Sequence, residues 1–181
     1  RIFHNFGEQQ KALPHLRTAV KLNPGLADAH HFLGKSFHAS EKLEQASKSY
    51  RMAISISPQR SEAYQDQGVV EHTLGNNEKA IINFQTAVDL DSMNHESHFN
   101  LGTLKFAADP KGAIKSLKAA VRISPQTSHF MFNLAMVQKK LGQTEEAVAS
   151  LNKLVKLNPQ FDGAHRHLGI LYMQQHHESL Q

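Results

Sequence analysis

Four dipeptides, Asn23-Pro24, Ser57-Pro58, Ser124-Pro125 and Asn158-Pro159, stand 34, 67 and 34 residues apart. The middle interval divides into 34 and 33, with Asp91-Ser92 where a further proline would fall. An ordinary helical bundle has no reason to space prolines by one constant, whereas a supersecondary unit stacked on copies of itself does. Taking the proline as position 32 of a unit puts Ala27, Ser61, His95, Ser128 and Asp162 at position 1 of successive units. The chain then divides into a partial unit at 1–26, complete units at 27–60, 61–94, 95–127 and 128–161, and a partial unit at 162–181.

Everything else falls into columns. Position 8 reads Gly34, Gly68, Gly102, Ala135 and Gly169, small residues where another chain segment must approach closely. Position 20 reads Ala12, Ala46, Ala80, Ala113 and Ala147, and position 27 reads Ala19, Ala53, Ala87, Ala120 and Leu154. Large residues lie three and four places from these alanines: Leu16, Tyr50, Phe84, Leu117 and Leu151 at position 24, then Leu22, Ile56, Leu90, Ile123 and Leu157 at position 30. That spacing is helical. It predicts helices near 28–40, 44–56, 61–74, 78–90, 95–108, 110–123, 128–141, 145–157 and 162–175.

Local punctuation agrees with this register. Leu74-Gly75 and Leu141-Gly142 fall where the first helix of a pair ends, and glycine there takes the left-handed conformation that closes a helix. The fourth unit carries Asp109-Pro110 instead, a capping side chain followed by a residue that needs no amide partner in the first turn. Since that unit is one residue short, a tighter turn is expected. Gln67 replaces the leucine found as Leu33, Leu101, Leu134 and Leu168, so stability is expected to dip in the third unit. Pro14 inside a helix would cost about 3 kcal/mol, which predicts that the first helix starts late, near Ala12 or Leu13.

These columns make the chain resemble the tetratricopeptide repeat family over essentially its whole length. The resemblance implies an all-α fold, a right-handed α-solenoid of stacked antiparallel helix pairs whose first helices line a concave face that binds extended partners. In the family the lining positions are 2, 5, 6, 9, 12 and 13. Carried onto this sequence they name His31, Phe32, Lys35 and His38, then Gln65, Asp66, Val69 and His72, then Phe99, Asn100, Thr103 and Phe106. The last units add Phe132, Asn133, Met136, Lys139, Lys140, Arg166, His167 and Met173. Asn100 and Asn133 share position 6, where glycosyltransferase-linked arrays of this family hold the backbone of a bound peptide. An asparagine amide both donates to and accepts from a peptide unit, but two rungs broken by Asp66 and His167 are equally the pattern of solvated side chains. The lysine, asparagine and arginine clamp with which chaperone-binding members grip a carboxylate is missing, because Asp66 follows Lys35 at the matching place and would repel it.

The implied function is a scaffold that recruits a protein or extended peptide, with no enzymatic activity of its own. The alternative is the substrate-recognition segment of a larger enzyme, as in glycosyltransferase-, sulfotransferase- or hydroxylase-linked arrays. No nucleophile motif, glycine-rich phosphate loop or paired-carboxylate signature lies outside the columns, and no cofactor is expected. The absence of cysteine removes disulfides and thiolate zinc sites. Histidine is abundant at 13 residues, but His4, His38 and His72 stand one per unit, too far apart for one ion, and His95 and His98, though spaced to share a helix face, include a packing position. His30, His98 and His165 share position 4, usually a packing position. The 20 basic and 16 acidic residues are interspersed without basic blocks, so nucleic acid is not expected. No run approaches the roughly 20 apolar residues of a transmembrane helix, so membrane insertion is not expected either. With no targeting segment legible, the cytoplasm is the default localisation. The first unit enters near position 9 and the last stops after one helix, as expected of an excerpt from a longer array. Uncapped ends bearing Ile2, Phe3 and Phe6 on one side and Gly169 and Tyr172 on the other are expected to fray or self-associate.

Overall fold

The computed structural model describes residues 2–178, with side chains described over 11–175. Among the described residues all regular structure is helical. In chain order the helices are α1 (Ile2–Leu22), α2 (Ala27–Ala39), α3 (Leu43–Ile56), α4 (Ser61–Thr73), α5 (Asn77–Leu90), α6 (His95–Lys105), α7 (Pro110–Ile123), α8 (Ser128–Lys140), α9 (Thr144–Leu157) and α10 (Asp162–Glu178). They form two compact units, Arg1–Ser92 and Met93–Gln181.

Within each unit the helix pairs are held by a small residue on one helix facing a large one on its partner. A Cβ added to Gly34 would lie 2.6 Å from the ring of Tyr50, and one added to Gly68 would lie 2.8 Å from that of Phe84. The second unit does the same with Gly102, where a Cβ would come within 2.7 Å of Leu117. Between these contacts Ala46, Ala53, Ala80, Ala87, Ala113, Ala120 and Ala147 are wholly buried, so the backbones close to the distance an alanine stripe allows.

Three loops end their helices in the same way. Gly75 and Gly142 adopt φ of +82° and +73°. The amide of the next residue reaches back five places, Asn76 N to Glu71 O and Gln143 N to Gln138 O, as the left-handed closure requires. Glu41 does this at φ +57° without the freedom of glycine, with Lys42 N bonded to Phe37 O. Asp109 caps α7 as its sequence implies, accepting from Gly112 N at 2.9 Å with Pro110 in the first turn.

Two expectations about local structure are corrected. α1 does not start near Ala12 but runs through Pro14 from Ile2 to Leu22. Leu13, Leu16 and Val20 pack on the cluster of Leu33, Phe37, Ala46 and Tyr50. That burial fixes the axis of the helix on both sides of the proline, against a cost of about 3 kcal/mol for the missing bond. The short fourth unit does not tighten its turn either. α6 stops at Lys105 and four residues, 106–109, precede α7, whereas three residues link α2 to α3, α4 to α5 and α8 to α9. The Lys105 carbonyl accepts from both Ala108 N and Asp109 N, and Pro110 disfavours a helical Asp109. The deletion is absorbed by the helix.

Candidate protein-docking faces

In the first unit the predicted face is organised around one carboxylate. Asp66 Oδ2 lies 2.8 Å from His31 Nε2 and 3.8 Å from Lys35 Nζ, so α2 and α4 are tied by the charges expected to line a groove. His31 itself is 6% exposed, packed against the rings of Tyr50 and Phe32. It is therefore corrected from a groove residue to a buried one, because its position points it toward the tyrosine and its imidazole finds a partner in Asp66. Phe32, Lys35 and His72 are exposed, while His38, Gln65, Asp66 and Val69 are half-buried. His72 Nδ1 is 2.8 Å from Asn77 Oδ1, a bond across the α4–α5 loop. Burial, and then the charge of Asp66, pushes the Tyr50 phenol far above its ordinary range, so it stays neutral.

Gln67 does not behave as a lone polar defect. It is 2% exposed, and its Nε2 donates to Ser47 Oγ at 2.9 Å and Glu71 Oε1 at 2.7 Å. Ser47 Oγ donates to the same carboxylate and Asn76 Nδ2 to its other oxygen. The polar group expected at this place is divided: Gln67 Oε1 is buried with no hydrogen-bond partner, while Nε2 joins a buried cluster that supplies donors to the Glu71 carboxylate. The signal was present in sequence as Glu71 four residues on, on the same helical face.

In the second unit the face is aromatic. Phe99 stacks on Phe130 with ring centroids 4.7 Å apart and meets His129 edge-on at 5.3 Å. Phe132 lies 5.1 Å from Phe161 and 5.7 Å from His167. Lys140 Nζ stands 4.9 Å over the ring of Phe106, and Lys139 Nζ is 3.4 Å from His167 Nδ1. Phe99, Asn100, Phe106, Phe132, Asn133, Met136, Lys139 and His167 are half-buried, and Thr103, Lys140, Arg166 and Met173 are exposed. Asn133 Nδ2 donates to the His129 carbonyl of its own helix at 2.8 Å, which occupies one of its two N–H donors. Desolvation, and then the charges of Lys139 and Arg166, hold His167 below the ordinary imidazole range. Phe130, His129 and Phe161 were not singled out from sequence, since they occupy positions outside the expected lining set.

The position-4 histidines have a structural task. His30 Nε2 lies 3.0 Å from the Pro24 carbonyl and His165 Nε2 2.9 Å from that of Pro159, so each pins its own helix to the proline turn before it. Among the described residues no group of three or more histidines, aspartates and glutamates is placed to hold a metal ion. No helix among them is long and apolar enough to cross a membrane. On α10 an added Cβ at Gly169 would meet nothing within 4 Å, and Tyr172 and Met173 are exposed. The side chains of Ile2, Phe3, His4 and Phe6 at the other end lie outside the described residues.

Comparison with known proteins places these helix pairs. A profile described as Tetratricopeptide repeat matches residues 27–60 and 61–92, and one described as TPR repeat matches 137–175. No curated protein matches the chain by sequence. Among solved structures, MamA is 18% identical with a TM-score of 0.79, covering 87% of this chain and 92% of its own. YrrB, described as a TPR protein with an unusual peptide-binding site, is 19% identical with a TM-score of 0.76 over 91% and 85%. A chain of the APC/C hetero-tetramer Cut9–Hcn1 is 20% identical with a TM-score of 0.69, and the match spans 93% of this chain but 34% of that one. At these identities the likeness is one of fold: an all-α helical repeat.

Proposed function

Because the chain belongs to the tetratricopeptide repeat family, we propose that it is a scaffold that docks an extended segment of another protein on the first helices of its pairs. The observation that supports this reading most is in the second unit. Phe99 and Phe132 recur one repeat apart on α6 and α8, each followed by an asparagine, and all four side chains remain half-exposed. Aromatic rings of this kind offer apolar contact area at little cost in side-chain entropy, while Asn100 and the oxygen of Asn133 suit the polar backbone between a ligand's side chains. The first unit offers less free chemistry, since Asp66 already engages His31 and Lys35.

A photo-crosslinking amino acid placed at Thr103, exposed on α6, is expected to capture the partner, whereas one at Lys118, exposed on α7, is not. Equal capture from both positions would remove the assignment to this face.

A further inference from the structure

The two units differ in how the cations of their predicted lining sets are matched. In the first, Lys35 stands with His31 at Asp66. In the second, none of Lys139, Lys140 and Arg166 has a carboxylate within ion-pairing distance among the described residues. Lys139 instead approaches a histidine ring and Lys140 a phenylalanine face. All three fall in the lining set of α8 and α10, and the acid among the corresponding positions of this unit is Glu96, at the opposite end of its helix from Phe106. Desolvation is the first cause of the lowered proton affinity of His167, and the charges of Lys139 and Arg166 add to it.

We propose that the docking face of the second unit selects an acidic peptide, with carboxylates of the ligand meeting Lys139, Lys140 and Arg166 and its apolar side chains meeting Phe106 and Phe132. This rests on the docking reading above and adds the chemistry of the partner. Each of these cations is solvated on at least one side, so each pair contributes modestly and the effect is a sum over the set. Cations beside aromatic rings also suit a single-stranded nucleic acid, whose bases stack on such rings. The peptide is favoured because the asparagines provide main-chain partners and no continuous basic stripe follows the face.

The test uses the full chain and short fluorescein-labelled peptides in which leucine alternates with glutamate, glutamine or lysine, beside a labelled oligouridylate. The glutamate peptide is expected to bind about ten-fold more tightly than the glutamine peptide at low ionic strength, and the gap is expected to close as salt is added. The double variant K139E/R166E is expected to abolish the advantage of the glutamate peptide over the glutamine peptide, and an advantage that survives it would overturn the assignment to these cations. Equal binding of the glutamate and glutamine peptides, both weakened by Phe132→Ala, would overturn the acidic preference and leave the docking face standing. Binding of neither, or indifference to Phe132→Ala, would overturn the face itself. Oligouridylate binding more tightly than the glutamate peptide would overturn the proposal in favour of nucleic acid.

Discussion

The same repeat frame is filled in two ways. In the first unit glycine faces an aromatic ring twice, Gly34 against Tyr50 and Gly68 against Phe84. In the second, Gly102 faces Leu117, and Ala135 shares a buried cluster with Leu151. Leucine in place of the ring does not by itself make room for a Cβ, since one at Gly102 would still lie 2.7 Å from Leu117, whereas Ala135 is accommodated beside Leu151, so each pair sets its own spacing. Outside those columns the units diverge. The first places a hydrogen-bonded carboxylate, Glu71, inside itself and pairs Lys35, the lysine of its predicted lining set, with Asp66. The second exposes aromatic rings beside unmatched cations.

The largest expected effect breaks the first unit's packing. Phe84→Ala should cost about 3–5 kcal/mol, because the ring fills the space above Gly68 and is itself fully buried. Amide exchange should accelerate across α4 and α5 far more than in α8 and α9. Equal acceleration in the two units would show that they unfold as one body.

Next comes a pair of identical substitutions at one repeat position. Gly34→Ala should destabilise by about 1–3 kcal/mol through overpacking on Tyr50. Gly169→Ala meets nothing within 4 Å and should stabilise α10 by about 0.5–1 kcal/mol through helix propensity. Thermal denaturation of both variants checks the opposite signs, and matching signs would mean that position 8 is not governed by its neighbour across the pair.

A third comparison concerns the loops. Glu41 holds a conformation that Gly75 and Gly142 adopt without penalty, so Glu41→Gly should stabilise the α2–α3 connection by about 0.5–1 kcal/mol. Gly142→Ala should cost a similar amount in the second unit. Denaturant midpoints at constant slope are the measurement.

The smallest effect is a pH dependence confined to the second unit. His167 has a folded-state pKa below the ordinary imidazole value of 6.5, so the unfolded chain binds the extra proton first. Its contribution is complete above that value and is lost as pH falls from there through the lowered folded pKa. Stability of α8 to α10 should decline over that window, and His167→Asn should flatten the decline. A slope unchanged by the substitution would assign it to another group.

Much of the fold was legible because it rests on period. The prolines, the small residues at position 8 and the alanine stripes repeat with the geometry of a stacked helix pair, so the order and pairing of α2 to α10 followed with boundaries that agree to within three residues. The misjudged places are those where a residue departs from its column. Gln67 read as a lone defect because Ser47, which accepts from it, and Asn76, which donates to the same Glu71 carboxylate, lie on other segments. Pro14 read as a start because the packing that carries α1 through it comes from α2 and α3.

The sequence by itself determined that the chain is a helical repeat and which residues face between helices, since burial at a fixed spacing is a one-dimensional property. Only the tertiary structure decided which polar side chains remain available to a partner. His31 and Lys35 are engaged by Asp66, whereas Lys139, Lys140 and Arg166 have no carboxylate within ion-pairing distance among the described residues. Pairing depends on distances of 3–4 Å between side chains about a repeat apart, and no column of residue types contains those distances.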